Sequence, residues 1–212
     1  MGHIQPVFRY SDEIEKKMRV QIARIAVLYD DLMLEYDGAQ EETITALDRS
    51  GVNSRRFYFV RRSLGTLIEL KGAFVVLDGN DAFKRSKQWW DKRDLTQWDA
   101  AVQFFQANQK FLKDWRNDIG GHFLDGAAEY AIDNIHSDAV GTIEIYRRGS
   151  GADIKMPFAY ELVALALVKN KDAKMPEEDF LKDAFTFLVE ATKHAINAVS
   201  VVVAHEVFDK FR

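Results

Sequence analysis

The chain has 212 residues, and its 29 basic and 33 acidic side chains give a formal net charge of −4. This length suits a single domain, and the acidic balance argues against broad electrostatic binding to nucleic acid, which favours a basic surface. The absence of cysteine excludes disulfides, thiolate metal sites and cysteine nucleophiles. We find neither a secretory signal pattern over residues 1–11 nor an 18-residue apolar run, so we expect a cytoplasmic protein with no membrane partner.

Several long stretches repeat apolar residues every three or four positions, which is typical of amphipathic helices. The predicted long helices cover about residues 12–37, 53–78, 95–118, 124–136 and 177–211. Shorter helices are predicted over residues 81–90 and 160–168. Gly38 is expected to end the first helix and Thr96 to cap the third.

The apolar period changes between the fourth and the last long helix. Residues 141–148 and 153–159 alternate in polarity, with Gly149-Ser150-Gly151 between them, which predicts a β-hairpin. A two-stranded hairpin is only marginally stable by itself, so it is expected to pack on helices. The predicted fold is therefore all-α: a single domain over residues 1–212, built as an up-and-down helical bundle with a small β-hairpin inserted at about 141–159.

The third predicted helix ends with Arg116-Asn117, which Gly120-Gly121 and then His122 follow. Two adjacent glycines disfavour the interior of a helix and favour its end. A guanidinium and an imidazole are therefore expected close to the point where a long helix breaks.

This pattern resembles the motif of the HEPN superfamily (higher eukaryote and prokaryote nucleotide-binding domains), an arginine and a polar residue followed by a histidine a few residues later. The resemblance covers residues 12–135 and extends to the last helix. It implies a helical bundle with the motif near the junction of two long helices. It also implies a metal-independent endoribonuclease, of a defence or toxin–antitoxin system with a protein antitoxin as partner, or a relative that binds RNA or a nucleotide. In such families the motifs of two chains form one composite site across a homodimer, which here assigns Arg116, Asn117 and His122 to that site.

The chemistry of RNA cleavage suits these residue types. RNA carries a 2′-hydroxyl beside each phosphodiester, and an imidazole, with an ordinary pKa of about 6.5, is able to move a proton from that hydroxyl or to the leaving 5′-oxygen. A guanidinium is able to hold two phosphate oxygens and stabilise the charge of the transition state. On this hypothesis His122 is the general acid/base, Arg116 is the phosphate clamp, and Asn117 orients the histidine or binds phosphate.

Other interpretations of the same residues stay open. Arg116 is also placed to cap the helix C-terminus by bonding its last carbonyls, and His122 to cap the next helix. The alternative hypothesis for the whole chain is a non-catalytic helical module that dimerises and binds a protein or nucleotide partner. Its basis is the alanine-rich last helix and an apolar seam on the third helix that includes Trp98, Ala101, Phe105, Leu112 and Trp115.

Further basic and aromatic residues are candidates for contact with RNA. Arg55, Arg56, Arg61 and Arg62 are candidate RNA or phosphate ligands beside the site, although such clusters are more often a solvated helix face. Trp89 and Trp90 are able to stack on bases, but tryptophans in a helical protein more often lie in a core or an interface.

The remaining chemistry-bearing residues do not predict a metal or a cofactor. His194 and His205 lie three helical turns apart, or about 16 Å, which is too far to bind one metal ion. They are interpreted as histidines that bond neighbouring helices, or, alternatively, one of them faces the Arg116–His122 region. No Glu-x-x-His pair repeats, as di-iron bundles require, and no Walker loop or dinucleotide fingerprint occurs.

Overall fold

A computed structural model describes residues 15–40, 49–117, 125–136, 138, 141, 143–148, 151–156, 158–170 and 176–208. Helices make up nearly all of this described chain, so the prediction of an all-α protein is confirmed. The helices are α1 (Lys16–Gln40), α2 (Arg49–Gly79), α3 (Asp81–Lys87), α4 (Lys92–Ala107), α5 (Gln109–Trp115), α6 (Asp125–Asn134), α7 (Phe158–Leu167) and α8 (Glu177–Val202). A 3₁₀ turn, Val168–Asn170, follows α7, and a π-helical segment, Val203–Phe208, follows α8.

The first two helices extend beyond their apolar patterns. α1 continues through Gly38, where the ring of Phe59 occupies the place that a Cβ would take. The prediction that Gly38 ends the helix is therefore wrong, because this glycine serves close packing against an aromatic ring. α2 begins at Arg49, before the predicted start at residue 53.

The third predicted helix is two helices in the structure. Asp91, and not Thr96, caps α4, since its carboxylate accepts a hydrogen bond at 2.9 Å from the backbone N–H three residues later. The Thr96 hydroxyl instead donates to a backbone carbonyl one turn earlier in the helix. Asn108 is the C-cap that follows α4, and its side-chain amide donates to the Phe104 carbonyl at 2.9 Å. The backbone N–H of Asn108 donates to the same carbonyl at 3.1 Å, so the last turn of α4 keeps its regular bond as well.

Two short strands lie between α6 and α7 in the sequence. β1 (Glu144–Arg148) and β2 (Gly151–Lys155) pair antiparallel, with Ile145 opposite Ile154. The turn predicted to join them includes residues 149–150, which lie outside the described residues. The inserted hairpin as a whole therefore stays a prediction.

The helices form two compact units, each with its own buried residues. The first unit comprises residues 1–32, 66–109 and 189–212, and the second comprises residues 33–65 and 110–188. In the second unit α6 packs against α7. Small side chains allow this contact, since Ala127, Ala131 and Ala166 are almost completely buried.

Aromatic rings form the core of the first unit. Trp98 is fully buried, and the rings of Phe83, Phe74 and Trp90 lie around it with centroid distances of 4.9, 5.5 and 6.2 Å. Each pair lies within the range in which offset or edge-to-face rings attract one another. Trp98 is therefore the central side chain of this core.

A carboxylate at the end of α2 joins three helices of the same unit. Asp78 accepts hydrogen bonds from the indole N–H of Trp98 on α4 at 2.8 Å and from the ammonium of Lys87 on α3 at 2.6 Å. Burial raises the pKa of Asp78, but the hydrogen bonds from Lys87 and Trp98 outweigh this effect and hold the pKa below its ordinary value of 3.8. The carboxylate is therefore charged at neutral pH and gives the buried indole a partner.

One described stretch, Lys182–Glu206, is long and apolar enough to cross a membrane, which corrects the expectation that no such run exists. Of its most apolar window, 44% is buried inside the protein. Ala191, Ala195 and Ala198 have no exposed surface. The apolar composition of this helix therefore has an explanation in the packing of the chain itself.

Candidate functional site

Arg116 and Asn117 directly follow α5, and a buried aromatic residue fixes the end of that helix. Trp115, the last residue of α5, is 1% exposed, and its ring packs against Phe111 at 4.3 Å and Phe187 at 6.4 Å. Successive residues of a helix are rotated by about 100° around its axis. With Trp115 held inward, the next side chains turn to solvent, and both Arg116 and Asn117 are exposed.

The backbone at Arg116 and Asn117 is π-helical. Such turns are rare and occur frequently at functional sites. A cation at this end of a helix also meets the negative end of the helix dipole. Within the described part of the chain, no hydrogen bond or ion pair holds the Arg116 side chain. The described residues thus give no support to the interpretation of Arg116 as a helix cap, and its guanidinium faces solvent.

His122 belongs to residues 118–124, which lie outside the described residues together with the Gly120-Gly121 break. The structure therefore places Arg116 and Asn117 on one exposed turn, while the role of His122 stays a prediction.

The four candidate arginines of α2 differ in what surrounds them. Arg55 and Arg56 lie on α2, but their side chains are outside what the structure describes. The Nε of Arg62 lies 3.6 Å from Oε1 of Glu35, whose side chain is 7% exposed. Arg61 also has interactions within the protein. A phosphate that binds Arg62 would therefore compete with a buried carboxylate.

His205 bonds a neighbouring helix, as predicted. Its Nε2 lies 2.7 Å from Oδ2 of Asp94 in the first turn of α4, and its ring stacks on Trp90 with 4.7 Å between centroids. The next residue, Glu206, is fully buried and accepts a hydrogen bond from the Ser86 hydroxyl. Sequence reasoning missed Asp94 and Ser86 because they lie 111 and 120 residues from their partners, and no local spacing connects them.

His194, on α8, packs against an aromatic ring. Its ring stacks on Phe104 with 4.4 Å between centroids and an interplanar angle of 23°. Burial lowers the pKa of His194 below its ordinary value of 6.5; Glu190 opposes this effect, and Lys193 adds to it. The neutral imidazole is therefore favoured in the folded protein.

We expect the imidazole of His194 to titrate with a midpoint below 6.5 in the folded protein, because burial disfavours its charged form. A lowered pKa contributes stability that is present above the unfolded value and is lost as the pH falls through the folded value. NMR titration of the ring protons measures the midpoint directly. In a His194→Phe variant, the loss of stability that this titration causes below pH 6.5 should be absent. A wild-type midpoint at or above 6.5 would contradict the lowered pKa.

Among the described residues, no group of three or more His, Cys, Asp or Glu side chains is arranged to hold a metal ion. Comparisons with protein-family models, with curated proteins and with solved structures found no match to this chain.

Proposed function

We propose that this protein is a HEPN-like, metal-independent endoribonuclease of the cytoplasm, in a defence or toxin–antitoxin system. Its chain would form a single up-and-down bundle domain with the β-hairpin inserted at about 141–159, and two chains would form one composite site. The observation that carries the proposal is the exposed Arg116-Asn117 pair on a π-helical turn that Trp115 anchors.

The proposed reaction follows from the 2′-hydroxyl of RNA. An imidazole of one His122 removes the proton from the 2′-hydroxyl, and the 2′-oxygen attacks the adjacent phosphorus. The bond from phosphorus to the 5′-oxygen breaks, and the imidazole of the partner subunit's His122 gives a proton to that oxygen. The products are a 2′,3′-cyclic phosphate and a free 5′-hydroxyl. The guanidinium of Arg116 stabilises the negative charge on the phosphate oxygens during this step.

The exposure of Arg116 suits this role. A guanidinium that faces solvent reaches the phosphate of a long polymer without a deep pocket, and a site at a helix end leaves room for the strand on both sides. The net charge of −4 limits the number of phosphates that the protein is able to neutralise. We therefore propose a short RNA contact, to which Arg55, Arg56, Arg61 and Arg62 contribute on α2.

The alternative, a non-catalytic module that binds a protein or a nucleotide, loses part of its basis. The apolar seam is buried within the units, since Trp98 and Ala101 have no exposed surface and Trp115 is 1% exposed. The alanines of α8 are buried as well. These residues fill cores and do not offer a face to a partner. The ribonuclease proposal is therefore preferred, and the alternative becomes an outcome of its test.

We expect the wild-type protein to cleave single-stranded RNA in EDTA and to leave 2′,3′-cyclic phosphate and 5′-hydroxyl ends. Arg116→Ala should reduce the single-turnover rate by about 10²–10³, since the removal of one transition-state donor has effects of this size. Lys113→Ala is the matched control, because Lys113 is an exposed cation on α5, three residues before Arg116. Gel analysis of end-labelled RNA measures both the rate and the chemistry of the ends.

Two results would contradict the proposal. One is that the wild-type protein leaves a broad panel of RNAs intact. If a pull-down then recovers a partner with both the wild-type protein and Arg116→Ala, the binding module is favoured. The other is a cleavage rate that falls equally in Arg116→Ala and Lys113→Ala, since that would indicate a general effect of charge.

A further inference from the structure

The first unit contains an open cleft of about 800 Å³. The start of α1, the end of α2 and α3 line it, and we call it the α1–α3 cleft. Small-molecule sites in proteins commonly enclose about 300–1,000 Å³. The cleft is therefore of the size that a small metabolite occupies.

Both carboxylates that line the cleft have partners within the protein. Oε2 of Glu15 accepts a hydrogen bond at 2.9 Å from the side-chain amide of Asn80. Oδ1 of Asp81 lies 3.6 Å from the ammonium of Lys84. Of the two, only Asp81 has a cationic partner, while Glu15 is held by a neutral amide.

The next feature of the cleft is the set of three cations in its lining. Lys16, Lys17 and Arg85 are exposed, and within the described chain no ion pair engages any of them. Three cations facing one concave surface attract an anion, and the positive charge here is local, because the whole chain carries a net charge of −4. An arginine and two lysines are the residue types that commonly bind phosphate oxygens.

We propose that the α1–α3 cleft binds a small phosphate ester. Lys16, Lys17 and Arg85 hold its phosphate. The exposed apolar side chains of Val20 and Val76 contact the carbon atoms of its organic part. This proposal involves residues of the first unit alone and does not depend on the ribonuclease proposal.

The experiment compares ribose 5-phosphate, ribose and inorganic phosphate by calorimetric titration and by thermal unfolding of the full chain. Ribose 5-phosphate should raise the Tm and bind more tightly than inorganic phosphate, while ribose binds weakly. Arg85→Ala should weaken binding of ribose 5-phosphate by at least about tenfold, the effect of losing one charged hydrogen bond. Lys193→Ala, which removes an exposed cation of the first unit that does not line the cleft, is the control and should bind as wild type.

Circular dichroism of each variant checks that the helices are retained, and Arg85→Gln replaces Arg85→Ala if that variant unfolds. The absence of binding by both phosphate compounds would overturn the proposal. Equal affinity in the Arg85 variants and in wild type would also overturn it, as would an equal loss in the Lys193 control.

Discussion

Replacing Trp98 by alanine is expected to lower the free energy of unfolding by about 3–5 kcal/mol, the range for removal of a large buried aromatic side chain. Trp98 has no exposed surface, and the rings of Phe74 and Phe83 pack against it. The substitution leaves a cavity among rings that cannot collapse fully, and it removes one of the two donors to Asp78. Urea titration followed by far-UV circular dichroism measures the change.

The chain supplies a matched control in another tryptophan of the same unit. Trp89 is 87% exposed, so Trp89→Ala should change the free energy of unfolding by no more than about 0.5 kcal/mol. Trp98→Phe keeps a six-membered ring of smaller volume in the core and removes the indole hydrogen bond. The free energy of unfolding should therefore fall by well under the loss in Trp98→Ala. Equal losses for Trp98→Ala and Trp89→Ala would contradict the position of Trp98 at the centre of this core.

Apolar spacing predicted which segments are helical because burial of one face dominates the choice of secondary structure. Leu64, Leu67 and Phe74 recur along α2 at the intervals of one helical face, and all are buried. The same pattern says little about where a helix ends. The cap at Asp91 is one side-chain hydrogen bond, and the break at Asn108 is a local change in backbone angles. Neither disturbs the apolar period.

The candidate site could be predicted only in part. Exposure of Arg116 follows from its position beside a buried tryptophan on a helix, and the sequence contains that information. The π-helical backbone at Arg116, and the one at His205, could not be predicted, since a single turn with i→i+5 hydrogen bonds hardly alters the apolar spacing. The bond between His205 and Asp94 joins residues 111 positions apart, so no motif connects them.

Two neighbouring tryptophans also show that the sequence pattern does not determine which side chain is buried. Trp89 and Trp90 are identical neighbours in the sequence, yet Trp89 is 87% exposed and Trp90 is 6% exposed. The turn after α3 decides the difference, because it directs one ring toward Phe83 and His205 and the other toward solvent. From the sequence alone, base stacking and a core position were both open for each of the two rings.

The His122→Ala substitution is expected to reduce RNA cleavage by about 10²–10⁴-fold, the usual contribution of a positioned general acid or base. The wild-type rate should pass through a maximum with pH, because one imidazole must be neutral to accept a proton and the other charged to donate one. His122→Ala should lose that maximum while it keeps the helical circular dichroism spectrum and the homodimer. Size-exclusion chromatography with light scattering checks the dimer, and rates measured in EDTA exclude contaminating metal-dependent nucleases.

A composite site makes a further demand that a site within one chain does not. If each chain carried a complete site, a dimer of one wild-type and one His122→Ala subunit would keep one intact site and half of the wild-type rate. If two chains share one site that needs both imidazoles, this mixed dimer lacks the general acid or the general base and should cleave RNA about 10²-fold more slowly than wild type, or slower still. Coexpression of the two subunits with different affinity tags, followed by purification on both tags, isolates this mixed dimer. A rate close to half of the wild-type rate would contradict the shared site.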